Sequence, residues 1–157
     1  MIRLLVVCLG NICRSPLAHA ILHAHILEKH LDDRVGVDSC GTSAAHEGEP
    51  ADRDMAAVAS DRGLDLSFHR ARQLTEADFY EFDAIVVMDR QNERDVGAQR
   101  PENSTARIAR WMDFVPGATT QDVPDPWSGG RAEFEEVQDL LLAGADHVIG
   151  WALTPPT

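Results

Sequence analysis

Near the start of the chain, a few side chains have the types and spacing needed for phosphoryl transfer. They lie in Val7-Cys8-Leu9-Gly10-Asn11-Ile12-Cys13-Arg14-Ser15-Pro16, where an arginine stands six residues after a cysteine and a serine follows it. Cys8 is the only cysteine with an arginine at that offset, since Cys13 meets His19 and Cys40 meets His46. Gly10 and Asn11 are residue types that tolerate positive φ, so this stretch can curl with its N–H groups turned inward. A nest of that kind above a helix N-terminus is an anion site of phosphate size. The Arg14 guanidinium adds a planar fork able to hold two phosphate oxygens. A cysteine facing those dipoles, beside Arg14 and the positive end of a helix, is favoured as thiolate, and the Ser15 hydroxyl is placed to donate to the same sulfur. The chemistry that follows is nucleophilic, with attack on a bound phosphorus and a covalent phospho-cysteine.

Such a loop needs a buried strand before it and a helix after it. Ile2 to Val7 is a continuous apolar run after Arg3, the pattern of a strand covered on both faces of a parallel sheet. Ser15-Pro16 opens a helix, with proline in the first turn, and Leu17, Ile21, Ala24, Leu27 and Leu31 recur at helical spacing as its core face. Val35 and Val37 mark a short second strand, Ala84 to Met88 a third and Arg107 to Met112 a fourth. Helices are expected over Asp52 to Arg62, stopped by Gly63, over Asp89 to Ala98, and from about Arg131 to Trp151. Thr75-x-x-Asp78 reads as the cap of a further short helix. This alternation predicts an α/β fold with a parallel sheet, in one domain spanning residues 1–157. Asp113 to Gly130 is a long loop rich in proline and glycine, and loops of that length in small domains are usually functional. Ligands in such sheets sit beyond the carboxyl ends of the strands, which is where Cys8 lies.

Composition narrows the partners. Fourteen Lys and Arg oppose 26 Asp and Glu, a formal charge of −12. A surface this acidic repels nucleic acid and anionic lipid, so an anionic substrate needs a local binding charge. An odd, low cysteine count is not a secreted disulfide framework. Gly10, Asn11 and Arg14 interrupt the apolar start, so it is read as a mature cytoplasmic start and not as a signal peptide. His19 and His23 stand four apart on the first helix without an evident third ligand, and are read as a solvated face rather than a metal site.

The segment from Val7 to Pro16 resembles the phosphate-binding loop of the low-molecular-weight protein tyrosine phosphatases. Asp38-Ser39-x-Gly41-Thr42, His69-Arg70-Ala71-Arg72-Gln73, Met88-Asp89 and Asp125-Pro126-Trp127 extend the resemblance in the same order down most of the chain. It implies a flavodoxin-like three-layer fold with a four-stranded parallel sheet. It also implies hydrolysis of phosphotyrosine in proteins and of small aryl phosphates through Cys8, with neither metal nor cofactor. Arg14 then holds the phosphate, together with a loop of Leu9, Gly10, Asn11, Ile12, Cys13 and Ser15. Asp125, pinned between Pro124 and Pro126, takes the position of the general acid, which later accepts a proton from water. Negative charge on the thiolate and phosphate favours its protonated form, so the pH–rate profile should be bell-shaped and acidic. Asn11, Ser39 and His69 resemble the hydrogen-bond set that supports the loop, and Asp89 falls near the same rim. Cys13 matches the neighbour that can form a reversible disulfide with the nucleophile. Trp127 matches one aromatic wall of the substrate slot. The opposite wall carries Ala45 where many members have an aromatic residue, which predicts a wider slot and leaves the preference for phosphotyrosine over other aryl phosphates open.

Three other readings compete. Relatives that hydrolyse phosphoarginine carry threonine at the position of Ile12, whose methyl would crowd a guanidinium and favour a flat tyrosyl ring. Arsenate reductases of this fold use two further downstream cysteines, but Phe79 to Asn92 contains none. A phosphate-binding module without turnover would not need Cys8, Arg14 and Asp125 together. The expected partners are tyrosine-phosphorylated proteins and inorganic phosphate, as product and inhibitor, with the chain a monomer or weak dimer and no nucleic-acid or membrane partner.

Overall fold

A computed structural model describes residues 1–154; residues 155–157, the end of the expected domain, lie outside it. The elements run β1 (Ile2–Cys8), α1 (Arg14–Glu28), β2 (Val35–Gly41), α2 (Arg53–Asp61), α3 (Asp78–Glu81), β3 (Ala84–Val87), α4 (Arg90–Gln99), β4 (Arg107–Arg110), a 3-10 turn (Trp111–Phe114) and α5 (Arg131–Leu153). The four strands form one parallel sheet in the order β2-β1-β3-β4. Successive side chains of a strand point to opposite faces, and this divides the core in two. Leu4, Val6, Ala84 and Val86 pack with α1, α2 and α5, whereas Leu5, Val7, Ile85 and Val87 pack with Phe79, Phe82 and Val96 from the α3–α4 side. The result is the expected flavodoxin-like three-layer arrangement, and β1, one of its two inner strands, is the one that ends at Cys8.

Several boundaries differ from the pattern-based reading for physical reasons. β2 continues past Val37 to Gly41 because Asp38 to Gly41 pair in register with Leu5 to Cys8 of β1, although only Cys40 among them carries an apolar side chain into the core. β4 stops at Arg110, where Trp111 turns into the 3-10 helix and its indole N–H donates to the Leu140 carbonyl at 3.1 Å. The core face of α1 is rotated from the expected stripe. Leu22 and Ile26 are buried with Leu17 and Ile21, whereas Leu27 is 47% exposed. α2 is capped by the Asp52 carboxylate, which accepts the N–H groups of Asp54 and Met55. His19 is not on a solvated face either. It lies against Phe68 at 4.8 Å between ring centroids, and burial holds its pKa down to about 4.

Candidate active site

The site is built where β1 hands over to α1. Cys8 ends a strand that is buried from Leu4 onward, and the chain then curls through residues 9–13 before α1 begins at Arg14. Asn11 carries the positive φ of this curl, at 57°, whereas Gly10 does not adopt one. Gly10 matters instead for space: a Cβ there would meet the His46 ring at 3.0 Å. Gly41 is tighter still, with a Cβ only 2.6 Å from the Leu9 carbonyl oxygen. The end of β2 is therefore the floor on which the loop rests. Thr42 and Ser43 tie the loop to it by donating their N–H groups to Cys8 and Leu9 carbonyls, both at 3.0 Å.

Two donors converge on the Cys8 sulfur, the Asn11 N–H at 3.3 Å and the Ser15 hydroxyl at 3.0 Å. The surrounding network narrows the direction of the Ser15 proton. The Arg72 backbone N–H can only donate, so the Asn11 side chain presents its oxygen to it at 3.0 Å. The Asn11 amide nitrogen then faces the hydroxyls of Ser15 (2.8 Å) and Ser39 (3.0 Å), which accept. The Ser15 hydrogen then has two acceptors in reach, the Cys8 sulfur at 3.0 Å and the Cys40 carbonyl at 3.4 Å, of which the sulfur is the nearer. On the other side, His69 Nε2 donates to the Asn11 carbonyl at 2.5 Å. That bond fixes the tautomer, because a carbonyl cannot donate. Burial lowers the His69 pKa, against the pull of the Asn11 bond. No side chain caps α1, so the N–H groups at its start have no intrahelical or capping acceptor, and the helix begins at Arg14, on the lining of the pocket.

Arg14 is 2% exposed and held from two sides. Its Nη1 donates to Asp89 Oδ2 at 2.7 Å and to the Val123 carbonyl at 3.0 Å, and its Nη2 lies 3.8 Å from Asp125 Oδ2. Burial works against its charge, but the neighbouring Cys8 and the Asp89 bond more than offset this, and the net shift is upward. Asp89 also caps α4, its Oδ1 accepting the Asn92 N–H at 2.7 Å. Asp125 sits at the mouth with a half-exposed carboxylate that accepts the Trp127 N–H at 3.0 Å.

Together these residues enclose a cavity of about 200 Å³. Cys8, Leu9, Gly10, Ile12, Cys13 and Arg14 line its base, with Asp125 and Trp127 on one wall and Ser43, Ala45 and His46 on the other. Every slot and loop residue expected from the sequence is thus either on this lining or, for Asn11, Ser15, Ser39, His69 and Asp89, in the layer supporting it. Cys13 is buried with a free thiol, and burial, reinforced by Asp52, pushes its pKa up. Sequence reasoning missed His46, which fills part of the wall beside Ala45 with its Nδ1 paired to Glu49. It also missed Arg72, whose guanidinium bridges Asp78 and Asp38 while its backbone orients Asn11. Among the described residues no three His, Cys, Asp or Glu side chains converge as a metal site, and no helix is long and apolar enough to cross a membrane.

Residues 3–150 match the sequence model of the family described as low molecular weight phosphotyrosine protein phosphatase. The chain is 36% identical over 149 residues to the low molecular weight protein-tyrosine-phosphatase YfkJ of Bacillus subtilis, covering 95% of this chain and 94% of the relative. Its structure is similar to that of a protein tyrosine phosphatase from Entamoeba histolytica, with a TM-score of 0.90, 38% identity and 95% of each chain covered. It is also similar to a Drosophila arginine phosphatase, with a TM-score of 0.87, 25% identity, and 98% of this chain and 99% of the other covered.

Proposed function

The chain belongs to the low molecular weight phosphotyrosine protein phosphatase family, and we propose that it hydrolyses phosphotyrosine in proteins by transferring the phosphoryl group to Cys8. The observation that carries the mechanism is the convergence of the Asn11 N–H and the Ser15 hydroxyl on a sulfur at the base of a slot whose opposite end holds Asp125. Donors aimed at the sulfur stabilise negative charge there before substrate arrives, with no reorganisation during reaction. Arg14, already fixed by Asp89, receives two phosphate oxygens, and the open N–H groups of the first turn of α1 receive the others.

The Cys8 sulfur attacks phosphorus, and the bond from phosphorus to the tyrosyl oxygen breaks on the far side. Tyrosine leaves poorly as an anion, because its phenol has a pKa of about 10. Asp125, at the mouth, gives that oxygen a proton. Water then attacks the phospho-cysteine, Asp125 takes a proton from it, and inorganic phosphate leaves with Cys8 again ionised. The same pocket makes phosphate a competitive inhibitor as well as a product. The chain acts as a monomer or weak dimer on tyrosine-phosphorylated proteins.

The test is hydrolysis of phosphotyrosine and of an aryl phosphate by the wild type, Cys8→Ser and Asp125→Ala. Cys8→Ser should lose turnover and still bind phosphate, and Asp125→Ala should lower kcat/KM mainly for the poor leaving group. An inert wild type would leave a phosphate-binding module. The second reading, phosphoarginine hydrolysis, is supported by the likeness to the Drosophila enzyme. Against it, Ile12 puts a branched apolar side chain into the slot, so phosphotyrosine should be turned over faster than phosphoarginine.

A further inference from the structure

The geometry points to Asp122 as a positioning residue that sets the pose of Asp125 through the N-terminus of α4; this rests on the assignment of Asp125 as proton donor. Asp122 lies three residues before Asp125, and its carboxylate reaches across to α4. Its Oδ1 accepts the Arg90 backbone N–H at 2.9 Å and Nε at 3.3 Å, and its Oδ2 accepts Nη2 at 3.2 Å. These bonds hold the Asp122 carboxyl below its usual range, the Arg90 side chain contributing most.

The next residue is pinned as well. Val123 donates its N–H to the Met88 carbonyl at 2.8 Å, and its own carbonyl accepts from Arg14 at 3.0 Å. Pro124 and Pro126 then flank Asp125, each with φ fixed by its ring, so little slack separates the anchor from the carboxyl. On the far side of Asp125 the nearest bonds are internal to the loop, the Trp127 N–H to its carboxylate and the Gly129 N–H to the Pro126 carbonyl, and the tie to α5 comes only at Gly130, whose N–H donates to Glu133 at 3.0 Å. Apart from the Arg14 guanidinium, 3.8 Å from its carboxylate, Asp125 is therefore tied to the rest of the fold chiefly from upstream.

The start of α4 thus gathers two carboxylates. Asp89, from the end of β3, orients Arg14, and Asp122, from the acid loop, ties that loop to the same turn. Phosphate binding and proton donation are aligned by one helix end, whose exposed N–H groups suit negative charge. An exposed ion pair contributes little to global stability. Its effect here is on placement, and a small displacement of a catalytic group lowers a rate by up to about 10²-fold.

The experiment measures kcat/KM, which reports the steps up to phosphoryl transfer to Cys8 and not the hydrolysis of the phospho-cysteine that both substrates share, for Asp122→Ala, Asp122→Asn and Arg90→Ala on two substrates. One is phosphotyrosine, whose leaving group needs a proton, and the other is dinitrophenyl phosphate, whose leaving group does not. Phosphate inhibition and the urea midpoint are measured beside them, with Asp125→Ala as reference. Asp122→Ala should lose about 10-fold on phosphotyrosine and less than about 2-fold on dinitrophenyl phosphate, with phosphate affinity and midpoint unchanged. Asp122→Asn, which keeps the acceptor for the Arg90 N–H, should recover part of the loss, and Arg90→Ala should fall between. An equal loss on both substrates, or none on either, overturns the role of Asp122. If Asp125→Ala shows the selective loss and Asp122→Ala does not, only this inference fails. If Asp125→Ala also lacks it, the acid assignment fails first.

Discussion

Replacing Asn11 with alanine tests whether the loop is held by one side chain. Asn11 is wholly buried, and its amide joins four segments of the fold. The substitution removes two bonds to hydroxyls, at 2.8 and 3.0 Å, and leaves the Arg72 N–H without its acceptor. Each lost bond is worth about 1 kcal/mol, and an orphaned donor rather more. Alanine must also adopt the φ of 57°, at a further cost of about 1 kcal/mol. The total is about 4 kcal/mol, a large part of the roughly 5–15 kcal/mol that stabilises a domain. With a urea slope of about 2 kcal/mol per molar, the unfolding midpoint should drop by about 2 M. Asn11→Gly loses the same side-chain bonds without the backbone strain, and should be about 1 kcal/mol less damaging. Both variants should also turn over slowly, because the Ser15 hydroxyl loses the amide that holds it beside the sulfur. A loss below about 1 kcal/mol for Asn11→Ala would refute the reasoning. So would a glycine variant no more stable than the alanine one.

Three further outcomes follow from particular contacts. His19 stays neutral in the fold down to a pKa of about 4, while in the unfolded chain it takes up a proton near its ordinary 6.5. Unfolding therefore binds a proton as pH falls from 6.5 to 4, and stability should decline through that window by about 3 kcal/mol. His19→Leu should flatten that part of a plot of urea midpoint against pH, and an unchanged slope would exclude His19 as its source. Gly41→Ala places a methyl 2.6 Å from the Leu9 carbonyl oxygen and 3.1 Å from the Asn11 nitrogen, so phosphate affinity and kcat should both fall sharply; wild-type kinetics would show that the loop does not rest there. Gly144→Ala meets the Trp111 indole at 2.6 Å on α5, far along the chain from the loop. It should lower the thermal midpoint, at a cost of about 1–3 kcal/mol, with kcat at the wild-type value in the surviving enzyme.

The parts of this fold that are legible in the sequence are those whose pattern and chemistry agree. β1 and the loop after it combine an apolar run, a residue able to take positive φ and an arginine, so both the element and its purpose can be read. The second strand is half hidden because Asp38 and Ser39 face a polar network rather than the core. The face of α1 is misjudged by one position because Leu27 and Ile26 fit helical periodicity equally well, and only packing against α5 chooses between them. Contacts between distant segments leave no local trace. Nothing near Arg72 announces that its backbone orients Asn11, and nothing near Asp122 announces Arg90. His46 lines the slot only because the β2 end and the Cys8 loop approach closely at Gly10.

The central claim is that the phosphoryl group passes through Cys8, and trapping that intermediate tests it most directly. Asp125→Ala, slowed in the water step, should be mixed with an aryl phosphate bearing a good leaving group, quenched in the steady state and analysed by peptide mass. The account predicts one phosphoryl group on the peptide carrying Cys8, absent from Cys8→Ser and lost on further incubation. Turnover with no phosphorylated cysteine at any time, or with the phosphoryl group on another residue, would contradict it.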